Sequence, residues 1–112
     1  MSSWIDKDNT IHLTRGDTMN LKINVNHKDG SPYVPQEGDK CWFSVKKTYN
    51  KDEEYLIHKE FDLATMSLFL ESIDTSSMEY GSYKYDIQMN LANGVVDTII
   101  PRSVFILLEE VT

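Results

Sequence analysis

The sequence predicts an all-β fold, a sandwich of seven or eight short strands, and three observations support this class. Several segments alternate apolar and polar residues with a period of two, which is the pattern of a strand buried on one face. These segments recur at spacings of about ten residues, separated by turn signals such as Asp29-Gly30 and Asn93-Gly94. The chain of 112 residues has the length of one domain, so residues 1–112 are expected to form a single sandwich.

The first part of the chain predicts two strands and a short leading segment. Residues 1–9 are polar apart from Trp4 and Ile5, and they form either an arm that docks on a neighbour or, more simply, an N-terminal edge strand. A short strand is expected over residues 10–14. A second is expected over residues 18–26, where apolar residues alternate with polar ones.

The third strand is expected over residues 39–47. Its alternation turns Cys41, Phe43 and Val45 inward, which makes Phe43 a predicted core residue, and it turns Trp42 outward. An exposed tryptophan is covered either by a partner or by a loop of its own domain, and the sequence leaves both alternatives open.

A fourth and a fifth strand are predicted over residues 55–61 and 66–70. Phe69 interrupts the alternation of the fifth, and the apolar spacing over residues 63–73 also fits a helix, although we favour the strand. Residues 73–78 then predict a single capped turn, because Asp and Ser oxygens satisfy free amides at such positions.

The central strand is predicted over residues 80–91, with Tyr83, Tyr85 and Ile87 in the core. Its Gly-x-Tyr-x-Tyr start resembles the tyrosine corner of immunoglobulin-like sandwiches, in which the hydroxyl of the first Tyr bonds nearby backbone. Tyr85 would then fill the core position at which those domains usually have a cysteine. The predicted class is therefore an immunoglobulin-like antiparallel β-sandwich of seven or eight strands, and a sugar-stacking role for the two tyrosines is the functional alternative.

Asn93-Gly94 predicts a two-residue hairpin turn and with it the register of the strand that follows. The expected pairs are Leu91 with Val96, Met89 with Thr98 and Ile87 with Ile100. This register turns Val96 inward and leaves Val95 and Ile99 on the outer face, where apolar side chains indicate a cover. The candidate interface residues are Trp4, Ile5, Trp42, Val95 and Ile99.

The last strand is predicted over residues 104–108, after Pro101 breaks the ladder. Its residues are apolar on both faces, so we expect it to be buried on both sides, either within the domain or against another copy.

Charge and hydropathy exclude two classes of partner. The net charge of −7 and the scattered positions of the eleven Lys and Arg residues argue against nucleic acid. No apolar stretch approaches the length of a membrane span, and no signal peptide is evident, so we expect no membrane contact. Cys41 is the single cysteine and is expected to be a buried thiol.

The sequence provides no convincing catalytic or metal-binding cluster. The three histidines, His12, His27 and His58, lie at strand or hairpin positions where solvated or hydrogen-bonded imidazoles are common. The acidic runs lack the spacing of a calcium loop, and no glycine-rich phosphate loop occurs. We therefore predict no enzyme activity, no cofactor and no metal.

Four segments together resemble a known family. They are IHLTRGDT at residues 11–18, FSVKK at 43–47, YGSYKYDIQ at 80–88 and TIIPRSVF at 98–105, and they cover nearly the whole chain in order. The pattern is similar to the small immunoglobulin-like structural proteins of phages and prophages in Gram-positive bacteria, which are related to domains of baseplate and other virion proteins.

The resemblance implies a non-enzymatic virion component, which would be a tail, baseplate, connector or decoration module that acts through protein–protein contacts. Its partners would be other virion proteins or copies of itself. Its location would be the virion, and the bacterial cytoplasm during assembly.

A carbohydrate-binding or adhesion module is the alternative function, because sandwiches carry such sites on loops and aromatic surfaces. Its ligand would be a host-wall glycan. Its predicted platform consists of Tyr33, Trp42, Tyr49 and Tyr55.

Overall fold

The computed structural model describes residues 3–48 and 50–110. These residues form eight strands and one short helix: β1 (Ser3–Ile5), β2 (Ile11–Thr14), β3 (Met19–Lys22), β4 (Lys40–Lys46), β5 (Ile57–Glu60), β6 (Ser67–Leu70), α1 (Ser72–Ser76), β7 (Gly81–Asn90) and β8 (Val96–Leu108). The prediction of an all-β sandwich is confirmed, and residues 3–5 of the N-terminal segment form an edge strand.

The strands form two sheets of unequal size. The larger has the order β1-β2-β8-β7-β4-β5, and the smaller pairs β3 with β6. All pairs are antiparallel except β2 with β8, so the larger sheet is mixed and the prediction of a purely antiparallel sandwich is wrong at this pair. β2 and β8 are far apart in the sequence, so no hairpin forces them to run in opposite directions.

The core lies between the sheets and contains the alternating inward residues of both. All four predicted core residues are buried, namely Phe43, Tyr83, Tyr85 and Ile87. The Tyr83 hydroxyl donates a hydrogen bond of 2.6 Å to the Glu79 carbonyl, which is the bond to nearby backbone expected of a tyrosine corner. The Tyr85 hydroxyl donates to the Asn9 carbonyl and ties the N-terminal segment to the core.

The segment with an ambiguous pattern is a strand followed by a short helix. β6 confirms the predicted strand, and Phe69 is the residue of β6 that faces solvent. The predicted capped turn is the helix α1, but it begins earlier than expected. Its N-cap is Glu71, whose backbone N–H donates to the Asp74 carboxylate at 2.7 Å, so Asp74 belongs to a capping box.

The hairpin between β7 and β8 differs from the predicted two-residue turn. The Leu91 N–H donates to the Val95 carbonyl at 2.7 Å, and the Gly94 N–H donates to the Leu91 carbonyl at 2.9 Å. Gly94 has a φ of +92°, so the loop has three residues and closes with a glycine bulge. The register is therefore shifted, and the observed pairs are Asn90 with Val96, Met89 with Asp97 and Gln88 with Thr98.

A further irregularity in β8 restores the predicted pair of Ile87 with Ile100. Ile99 is the extra residue, and both Ile99 and Ile100 are half-buried and pack against the core. The prediction that Ile99 lies on the outer face is therefore wrong. Val96 was expected inside, but 56% of its surface is exposed.

β8 continues through Pro101, where a break was predicted. Tyr85 pairs with Ser103 and Ile87 pairs with Ile100, so the register shifts between these two pairs. Pro101 lies at this shift, where a bulge accommodates it, and the strand continues beyond it. The second half of β8 lies between β2 and β7. Its inward residues Phe105 and Leu107 are buried, whereas its outward residues are half-buried. The prediction that both faces of this strand are buried within the domain is therefore wrong for the outer face.

Candidate functional site

The outer face of the larger sheet has a stack of three rings near the edge formed by β5. Trp42 points outward because its neighbours Cys41 and Phe43 point into the core. Its ring lies parallel to that of His58 on β5, with centroids 4.4 Å apart and planes at 5°. Tyr55 stacks on His58 at 4.3 Å and 12°. We refer to Trp42, His58 and Tyr55 as the aromatic column.

Polar contacts fix the aromatic column in place. The Ser44 hydroxyl and His58 Nδ1 form a hydrogen bond of 2.9 Å across the β4–β5 pair. The Lys46 ammonium lies 4.8 Å from the centroid of the Tyr55 ring and is also within hydrogen-bond distance of the Asn50 and Lys51 carbonyls. The rings are therefore held before any ligand arrives, which reduces the entropy cost of binding.

The aromatic column lines a groove of about 460 Å³ on this face. That volume lies within the usual range of small-molecule sites. The groove floor comes from outward residues of β4 and β7, because alternate residues of a strand point to the same face. The polar and charged residues that line the groove are Ser44, Lys46, Thr48, Lys51, Lys84, Asp86, Gln88, Asn90 and Arg102.

The charges of the groove are opposite in sign to those of the whole chain. Four basic side chains and one carboxylate, Asp86, line it, although the chain carries a net charge of −7. Burial raises the pKa of Asp86, and the nearby Lys46, Arg102 and His58 oppose that rise. Asn90 contributes a buried Oδ1 that accepts no hydrogen bond within the described residues.

A second stack lies on the same outer face, at the opposite edge of the sheet. Trp4 on β1 stacks on His12 of β2, with centroids 4.3 Å apart and planes at 9°. His12 Nε2 also contacts the Asp6 carboxylate at 2.7 Å. Trp4 remains 46% exposed and does not line the groove.

An apolar cleft of about 270 Å³ lies on the inner side of the larger sheet. The smaller sheet has only two strands and leaves part of the larger one uncovered. Ile5, Ile23, Ile99 and Ile100 line this cleft. Beside it, residues 96–104 of β8 pair with β7 alone, since β2 pairs only with the last four residues of β8.

The predicted interface residues do not form one continuous surface. Trp42 is half-buried and lies on the outer face as predicted, while Ile5 and Ile99 line the cleft on the other side of the sheet. Trp4 and Val95 are exposed. Of the predicted aromatic platform, only Trp42 and Tyr55 come together. Tyr33 instead donates a hydrogen bond to Asp39, and Tyr49 lies outside the described residues.

The role of His58 is not evident from the sequence, in which it resembles an ordinary strand histidine. The signal is visible only once β4 and β5 are paired. Ser44 then faces His58, and the diagonal neighbour of His58 on the same face is Trp42.

The structure gives three further results that bear on chemistry. Cys41 is fully buried, as predicted, and burial raises the pKa of its thiol to about 11. Within residues 3–48 and 50–110, no three His, Cys, Asp or Glu residues are grouped closely enough to hold a metal ion. No helix in that part of the chain has the length and apolar character needed to cross a lipid bilayer.

No family model matches the chain, and no curated protein matches it.

Proposed function

We propose that this protein is a non-enzymatic structural component of a phage or prophage particle that acts through protein–protein contacts. Tail, baseplate, connector and decoration positions are all compatible with this function. The similarity of four sequence segments to the phage immunoglobulin-like family supports the assignment to a phage particle. One feature of the surface supports an action through protein–protein contacts.

That feature is the free edge of β8 beside the apolar cleft. Residues 96–100, which precede Pro101, present backbone N–H and C=O groups on the side away from β7, with no strand beside them in the described part of the chain. An unpaired strand edge is a template for the backbone of another chain. Val96, at 56% exposure, adds apolar surface at this edge on the outer face of the sheet, and Ile5, at 46%, adds it in the cleft.

The occupant that fits this surface is an extended segment of another protein of the particle. Its backbone would pair with β8, and its alternate apolar side chains would enter the cleft lined by Ile5, Ile99 and Ile100. This mode needs no catalytic group, and it buries apolar residues that are otherwise in contact with water.

Peptide mass spectrometry on density-purified particles from an induced culture of the source strain tests the particle assignment. We expect recovery in constant stoichiometry with the other virion proteins. A protein that is abundant in the lysate but missing from the particles would contradict the proposal.

Charged substitutions test the edge. Particles assembled with Val96→Lys or Ile5→Lys are expected to incorporate at least about tenfold less of the protein, because a lysine at a strand edge opposes pairing. Ile73→Lys is the matched control, since Ile73 lies on α1 outside the cleft and is 73% exposed. Equal incorporation of the three variants would exclude this edge as the contact surface.

A further inference from the structure

The groove beside the aromatic column is a second surface, on the opposite face from the cleft and separate from the proposed assembly edge. We infer that this groove binds an anionic saccharide, meaning a sugar chain whose rings have carboxylate or phosphate groups. The inference goes beyond the structural role and concerns the purified protein alone.

The aromatic column accounts for the sugar rings. A pyranose ring has an apolar face of C–H groups, which gains contact area against a flat aromatic surface in the way that other apolar groups do. All three rings line the groove, and the contacts of Ser44 and Lys46 hold the column together. His58 is stacked between Trp42 and Tyr55, and the Lys46 ammonium lies over Tyr55, so the ring face offered to the sugar is that of Trp42 at the end of the column. The platform is thus rigid, so little side-chain freedom is lost when a ring packs on it.

The floor of the groove accounts for the hydroxyl groups. Gln88 and Asn90 on β7 present side-chain amides, and Asp86 presents carboxylate oxygens. The Oδ1 of Asn90 is itself buried, so the hydroxyl contacts are expected from Asp86, Gln88 and the amide nitrogen of Asn90. Asp86, Gln88 and Asn90 point to the same face of β7, so their polar groups line the floor in one row.

The basic lining of the groove favours a ligand with an anionic group. Lys46, Lys51, Lys84 and Arg102 outnumber Asp86, which gives the lining a formal excess of three positive charges within a chain of −7. The Glu53 carboxylate is engaged by the backbone amides of Lys47 and Thr48, and Glu53 does not line the groove. Basic groups concentrated in a concave site attract anions selectively.

A single-stranded nucleic acid is the other polyanion that uses basic grooves with aromatic rings. The groove favours a sugar chain over it because only four basic residues are present, whereas amides and a carboxylate occupy the floor where bases would stack. A carboxylate on the floor also repels closely spaced phosphates more than it repels a chain with hydroxyls between its charges.

The test uses Trp4→Phe protein, in which Trp42 is the sole tryptophan and reports on the groove. Its fluorescence is titrated with tetragalacturonate and with maltotetraose, a neutral chain of equal length. Glucose 6-phosphate against glucose tests phosphate as the source of the charge. We expect a saturable change with at least one anionic ligand, about tenfold tighter than its neutral counterpart. This preference should weaken as NaCl is raised from about 50 to about 300 mM.

Variants measured by calorimetry locate the site. Trp42→Ala and Tyr55→Ala are each expected to weaken binding at least about fivefold, whereas Trp4→Ala, on the second stack of the same face, should leave it unchanged. Tyr55 is 53% exposed, so its variant should melt like the parent protein even if Trp42→Ala folds poorly. Lys51→Gln/Lys84→Gln should remove the preference for the anionic ligand.

Four results of the titrations would overturn the inference. They are the absence of any saturable change, equal affinity for the neutral and anionic sugars, equally tight binding of inorganic phosphate, and tighter binding of an oligothymidylate of matched charge. Binding that Trp4→Ala reduces as strongly as Tyr55→Ala would also overturn it, because the sugar would then not lie in the groove.

Discussion

Tyr83→Phe tests the tyrosine corner by the removal of one oxygen atom. The ring keeps its place in the core and its contact with the Lys47 ammonium, which lies 4.4 Å from the ring centroid, while the 2.6 Å hydrogen bond to the Glu79 carbonyl is lost. Such a bond contributes about 0.5–1.5 kcal/mol to the free energy of unfolding. Glu79 is exposed, so water can partly replace the lost donor, and we expect a loss of about 1 kcal/mol.

The corresponding shift in melting temperature follows from the size of the domain. Unfolding entropies near 2.1 cal/mol/K per residue give about 0.24 kcal/mol/K for this chain, so a loss of about 1 kcal/mol lowers Tm by about 4 °C. Denaturant unfolding of Tyr83→Phe and of the exposed control Tyr55→Phe provides the measurement. If both variants unfold within about 0.3 kcal/mol of the parent protein, the hydrogen bond does not stabilise the corner and the reasoning fails.

Three further predictions concern stability. Tyr85→Ala removes a buried ring from the core and should cost about 3–5 kcal/mol, so an unchanged melting temperature would contradict its assignment to the core. Gly38 and Gly30 both have positive φ, so an alanine at either position should lower the free energy of unfolding by about 1–2 kcal/mol. The loss should be larger at Gly38, because the new Cβ would lie 3.0 Å from the Cβ of Ala92. Equal losses in chemical denaturation would show that this contact is relieved. The Asp39 carboxylate accepts hydrogen bonds from Tyr33, Gln36 and Ala92, which lower its pKa from about 3.8. The ionised carboxylate therefore stabilises the fold above that pH, and this stabilisation is lost as the pH falls through the lowered pKa. The difference in Tm between the parent protein and Asp39→Asn should shrink in acid. A difference that does not depend on pH would refute the linkage.

The positions and orientations of most strands could be predicted because alternation is a local property. A side chain on a strand points to the face opposite to its neighbour, so the pattern around Phe43 and Ile87 indicates both the strand and its buried face. The tyrosine corner was predictable for a similar reason, since its donor and acceptor are four residues apart.

The register of the last hairpin could not be predicted from its turn residues. Asn93-Gly94 is compatible with a two-residue turn and with a three-residue loop that ends in a glycine bulge, and the two differ by one residue in pairing. The choice depends on the packing of β8, where the extra residue lets both Ile99 and Ile100 contact the core. That contact forms only after the two sheets have come together.

The candidate site shows the same division between local and tertiary information. The outward position of Trp42 is a consequence of its own strand, and an interpretation from sequence finds it. Its stacking on His58 depends on the pairing of β4 with β5, and the basic lining depends on residues brought together from β4, β7, β8 and the loop after β4. The alternation of side chains thus decides which residues face water, whereas only the assembled sheet decides which of them become neighbours, because strand pairing joins residues that are distant in the chain.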